Sequence, residues 1–63
     1  MQSAALIKLL RSHGFKVVGT RGSHHKLRND TGITVIVPHP RKDLGKGLVS
    51  AILKQAGLRG TRE

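Results

Sequence analysis

The chain has 63 residues, enough for one domain that buries only about 60% of its unfolded surface, so a deep substrate cavity is excluded and any site must lie on the surface or at a partner interface. There is no cysteine, which excludes disulfides, thiolate metal sites and cysteine nucleophiles and fits the cytoplasm better than secretion. Twelve Lys and Arg against three acids give a formal net charge of +9, which points to a polyanionic partner, either nucleic acid or an acidic protein.

Ser3 to His13 is predicted as a helix. Leu6, Leu9, Leu10 and His13 fall at i, i+3, i+4 and i+7 of a helical period. Ser3 is expected as its N-cap and Gly14 as its stop. This segment is too short, and too interrupted by Lys8 and Arg11, for a signal peptide or a membrane span. Phe15 to Thr20 is predicted as a first strand, with Phe15 in the core. Arg21-Gly22-Ser23 is a turn. His24 to Asn29 is a second strand, Asn29 to Gly32 a second turn, and Ile33 to Val37 a third, β-branched strand. Pro38-His39-Pro40 is expected to end the sheet. Arg41 to Gly45 is a connection. Gly47 to Ala56 carries Leu48, Val49, Ile52, Leu53 and Ala56 at helical spacing, with Gly57 as the stop and Leu58 tucked against the helix end. Arg59 to Glu63 is expected to be a frayed tail.

This order, α-β-β-β-α, predicts an α+β fold in a single domain spanning 1–63. It is a three-stranded antiparallel sheet with two helices on one face, the topology of a double-stranded-RNA-binding domain. Side chains alternate across a strand. In His24-His25-Lys26-Leu27-Arg28 the one apolar residue is Leu27. If Leu27 faces the helices, so does His25, and His24, Lys26 and Arg28 share the open face. Imidazole exchanges protons near neutral pH. Lys and Arg can hold a phosphate and offset charge that develops on it. The 2′-hydroxyl of RNA is an internal nucleophile, so such a cluster could cut RNA with no protein nucleophile, cofactor or metal. The same residues also fit an ordinary solvated face.

Other chemistries are poorly served. Asp30, Asp43 and Glu63 are dispersed, so neither a carboxylate pair nor a two-metal centre is expected. His24 and His25 point opposite ways, which disfavours a zinc site. Arg21-Gly22-Ser23 lacks the Lys-Ser or Lys-Thr ending of a phosphate-binding loop. With Phe15 the single aromatic residue, base stacking on aromatic side chains is not expected. His25 is expected to be half-buried and structural. His13 either meets the helix dipole or packs, and His39 shapes either the site edge or only the turn.

The stretch Gly22-Ser23-His24-His25-Lys26-Leu27-Arg28 resembles the core motif of the HicA family of toxins, a glycine-serine pair followed by a histidine on a strand. Val37-Pro38-His39-Pro40 is similar to the proline-histidine stretch of that family, and Gly47 to Leu58 is similar to its closing helix; the resemblance runs over about 3–58. It implies a metal-independent endoribonuclease that cleaves mRNA and is neutralised by a HicB-type antitoxin. It places His24 at the catalytic position and Gly22 at the motif glycine. Strand alternation and the family spacing both favour His24 over His25. RNA contacts are expected from Arg21, Gly22, Ser23, Lys26 and Arg28. Gly22 serves either a turn alone or a close approach of the RNA backbone. The leaving oxygen could be protonated by water, Lys26 or His25. Two other readings stay open: a non-enzymatic double-stranded-RNA-binding module, and an interaction protein whose basic face docks an acidic partner.

Overall fold

The computed structural model describes residues 1–58, so the predicted tail from Arg59 to Glu63 lies outside the described residues. The element order is α1 (Ser3–Ser12), β1 (Lys16–Arg21), β2 (His24–Arg28), β3 (Thr34–Pro38) and α2 (Lys46–Gln55). The strands form one antiparallel sheet in the order β1-β2-β3. The α-β-β-β-α layout expected from the sequence is therefore the one adopted. No helix among the described residues is long and apolar enough to cross a membrane.

One apolar layer holds the sheet to the helices. Leu6 and Leu10 come from α1, Leu27 from β2, Val35 and Val37 from β3, and Ile52 from α2, all buried. Phe15 fills the α1–β1 corner at 2% exposure, just outside the strand it was expected to begin. Its N–H donates to the Leu10 carbonyl (3.1 Å), which extends the helix end and keeps the residue out of the ladder. Leu44, in the polar connection before α2, is equally buried at 1%. Leu58 packs on this core, and its N–H donates to the Leu53 carbonyl (2.9 Å).

Two helix-face expectations are corrected. His13 is the exposed C-cap of α1, and its N–H donates to the Leu10 carbonyl (3.0 Å). Leu48, in the first turn of α2, is 41% exposed although it lies on the same helix row as the buried Ile52 and Ala56. Ser3 is not the N-cap of α1. Gln2 is, with no side-chain cap, and Ser3 is the buried polar residue of the layer at 1% exposure. Its Oγ accepts from the Arg41 N–H (2.8 Å) and lies 2.7 Å from His39 Nδ1 and 3.2 Å from the Arg41 carbonyl. The Ser3 N–H also donates to that carbonyl (2.9 Å). Burial without a partner is costly for a hydroxyl, and this strap from α1 to the connection after β3 supplies the partners.

The strand ends shift for local reasons. Asn29 is outside β2 because its Oδ1 accepts from Thr31 N–H (3.1 Å), Thr31 Oγ1 (3.0 Å) and Ile33 N–H (2.8 Å), closing the turn to β3. Gly32 has φ +88° in that turn. The sheet ends at Pro38 as expected, with the proline itself taken into the last place of β3, opposite His24. β3 is an outer strand, where proline is tolerated. In β1 the register slips between Val17 and Gly19, a bulge at Val18.

Leu27→Ala is expected to cost about 2–5 kcal/mol, seen as a lower urea midpoint at unchanged slope; a change below about 0.5 kcal/mol would show that β2 is not anchored by this side chain. Ser3→Ala should destabilise by about 1–3 kcal/mol, because it strands the part-buried Arg41 N–H. A thermal melt unchanged from the parent would show the strap to be dispensable.

Candidate nucleic-acid interface

The site rests on the alternation of β2. Leu27 is fully buried on the helix side and His25 shares that side, half-buried, while His24, Lys26 and Arg28 are exposed on the other. The pairing extends this pattern sideways. Arg21 lies opposite His24, and Lys16 opposite Arg28. Directly opposed residues on one face have their Cβ atoms roughly 4.5–5.5 Å apart. The open face therefore carries Lys16, Arg21, Lys26 and Arg28 around one imidazole.

No carboxylate among the described residues balances these cations. Asp30 is exposed in the β2–β3 turn, and Asp43, in the connection before α2, pairs with the N-terminal ammonium (3.2 Å). Unpaired cations on a flat solvated face repel one another and are best relieved by an anion that spans them.

The β1–β2 turn completes the face. Gly22 and Ser23 form a two-residue loop, and Gly22 carries φ +58° while Ser23 has no positive φ. Glycine at the first central position is what a type II′ hairpin turn needs. A Cβ built on Gly22 would meet nothing within 4 Å, so backbone conformation fixes this glycine and packing does not. Ser23 is exposed, and its carbonyl accepts from the His39 N–H (2.6 Å), which ties the turn to the end of β3.

A shallow depression of about 460 Å³ opens on this face, lined by Gly19, Thr20, Arg21, His24, Lys26 and Ile36. A larger one of about 580 Å³, between the N-terminal residues and α2, is lined mainly by apolar side chains and contains no histidine. A third, also of about 460 Å³, contains His39 beside Ser3 and Arg41, where Ser3 Oγ engages the ring; the depression at His24 is the one that joins an exposed imidazole to the cations of the sheet.

The structure thus brings Arg21, His24, Lys26 and Arg28 onto one face, with Gly22 and Ser23 at its end. His25 goes elsewhere. Its ring meets His39 edge-on, with centroids 4.8 Å apart and planes at 83°, and its buried Nδ1 has no hydrogen-bond partner among the described residues. His39 Nδ1 is engaged by Ser3 Oγ. These two imidazoles belong to the strap on the helix side of the sheet. The sequence reading missed Ser3, Gly19 and Ile36. A glycine inside an apolar strand run was the available signal for the bulge.

Residues 3–58 match the family described as "HicA toxin of bacterial toxin-antitoxin". The chain is also 32% identical over 59 residues to a protein of Pseudomonas fluorescens (strain Pf0-1) named "Probable mRNA interferase HicA", covering 94% of this chain and 98% of that one.

If the open face holds an RNA backbone, Lys26→Ala and Arg28→Ala should each weaken RNA binding and reduce the slope of log K against log salt by about 1. Filter binding between about 50 and 200 mM salt measures this. An unchanged slope would remove that residue from the interface.

Proposed function

The chain belongs to the HicA toxin family, and on that premise we propose that it is the toxin of a toxin–antitoxin pair, an endoribonuclease that cuts mRNA in the cytoplasm through His24 without a metal. The observation that supports this best is the composition of the uncovered sheet face: one exposed imidazole set among four cations with no described carboxylate to neutralise them.

The chemistry uses the substrate's own nucleophile. The neutral His24 imidazole takes the proton of a 2′-hydroxyl, and that oxygen attacks the adjacent phosphorus. The bond from phosphorus to the 5′-oxygen breaks, and that oxygen leaves with a proton. Cleavage leaves a 2′,3′-cyclic phosphate on one fragment and a 5′-hydroxyl on the other. Lys26, Arg28 and Arg21 hold the phosphate and offset the charge that grows on its non-bridging oxygens. Gly22 and Ser23 keep the turn low enough for the RNA backbone to pass. The leaving oxygen takes its proton from water or Lys26, because His25 faces the helices. A HicB-type antitoxin would neutralise the toxin by covering this same basic face.

The test is cleavage of a defined RNA in excess EDTA by the parent and by His24→Ala, with circular dichroism of both. The parent should cut and the folded variant should lose about 10²–10⁴-fold in rate. RNA with a 2′-deoxy position at the cleavage site should resist at that site. A folded His24→Ala that cuts at the parental rate would remove His24 from the reaction. A folded parent that binds but never cuts would leave a double-stranded-RNA-binding module, which the strand and helix order also fits.

A further inference from the structure

We infer that Ile36 and Gly19 form a nucleobase subsite beside His24, in which the flat face of one RNA base rests on the Ile36 side chain over the space that Gly19 leaves empty. This rests on the open face being an RNA surface and adds what reads the base there.

Ile36 lies directly opposite Lys26 on β3. It is also two residues from Pro38, which pairs with His24, so Ile36 and His24 are diagonal neighbours, a separation of roughly 7–8 Å. A phosphate at His24 and a base over Ile36 therefore fit within one nucleotide. Ile36 is 44% exposed. A single exposed isoleucine is unremarkable by itself, but this one lines the depression that contains His24 and Lys26.

Gly19 is the independent observation. It sits in the middle of β1 opposite Lys26, where glycine weakens a strand. Its backbone does not require glycine, since its φ is not positive. Packing does not require it either: a Cβ at this position would meet nothing within 4 Å. Without the bulge, the residue opposite Lys26 would be Val18, whose side chain would fill the depression. The bulge turns Val18 out of the ladder, 56% exposed, and sets a bare backbone in its place. A strand that gives up a side chain with no internal reason leaves room for something external. The cations around the depression select a polyanion. One isoleucine matches the area of a single base rather than a protein side. The face has no Phe, Tyr or Trp, because Phe15 is in the core; with the His24 imidazole turned to the phosphate, Ile36 and the Arg21 guanidinium are the surfaces left on which a base can lie.

Isoleucine δ1-methyl resonances test this directly. Of the four isoleucines, Ile7, Ile33 and Ile52 belong to the core or pack against it. A short RNA is titrated into the full-length His24→Ala protein, which cannot consume it. The Ile36 methyl should move upfield through the ring current of the base, while the other three stay in place. An oligonucleotide with an abasic site at the same phosphate should still shift the Lys26 and Arg21 amides but not the methyl. Gly19→Val should remove the methyl shift and weaken binding about tenfold, the scale of losing one stacked base; Gly19→Ala, checked by the same melt, covers the case that valine unfolds β1. If the amides shift and the Ile36 methyl does not, or shifts equally with the abasic strand, the subsite is wrong and the RNA surface stands. If no RNA shifts any signal, both fall. A methyl shift seen only with an acidic protein would make the patch a protein contact and overturn the subsite.

Discussion

The burial of Leu27 is the constraint on which the rest depends. β2 has five residues, and only this one is apolar enough to pay for a place under the helices. Strand pairing has a period of two, so a slip by one residue would send His24, Lys26 and Arg28 inward together. Three groups that carry or take up charge would then be buried without partners, at a cost far beyond what a core of nine residues could offset. Val35 and Val37 share the inward parity on β3 and are paired with Leu27 and His25. The register is thus fixed from two strands, and the basic face is its unavoidable complement.

His25 shows what that constraint costs locally. It must point inward because Leu27 does, and among the described residues neither Thr20 nor Val37, its ladder partners, gives its buried Nδ1 a hydrogen bond. The fold meets this with half-burial and an edge contact to His39, which Ser3 holds from α1. The strap formed by Ser3, His39 and Arg41 therefore does two things. It closes the layer between the first helix and the segment after the sheet, and it shelters the histidine that alternation forces to the inner side. The Ser23–His39 backbone bond joins the same strap to the hairpin turn beside His24. The position of His24 is set by backbone on both sides rather than by side-chain contacts of its own.

Much of this was legible from single residues. The periods of Leu6, Leu10 and Ile52 marked the helices. The β-branched run of Val35 and Val37 marked β3, and the lone Leu27 decided the faces of β2. Gly14, Gly22, Gly32 and Gly57 were each expected where a turn or helix stop needs them, and each has positive φ. What the sequence hid came from long-range pairing. Ser3 looks like a cap from its neighbours, and only the arrival of Arg41 and His39 makes it a buried hub. Leu44 looks like loop until α2 folds over it. Pro38 ends the sheet as its residue type suggests, but that it is itself the last paired residue follows from β3 being an outer strand. The bulge at Val18 depends on which residue of β2 each residue of β1 meets, and local propensity does not encode this.

The same bulge has a consequence for the protein in solution. β1 is an outer strand, all six of its residues are exposed, and its free edge carries main-chain groups that could template pairing with another copy. Edge-to-edge growth needs a flat, regular, uncharged strand. Here the irregularity at Val18 sits mid-strand, with Lys16 and Arg21 near either end. On the far side, the Gln55 side chain donates to the Thr34 carbonyl (2.9 Å) and occupies an acceptor on β3. The half-uncovered sheet thus carries, at both outer strands, features that oppose edge pairing with another copy.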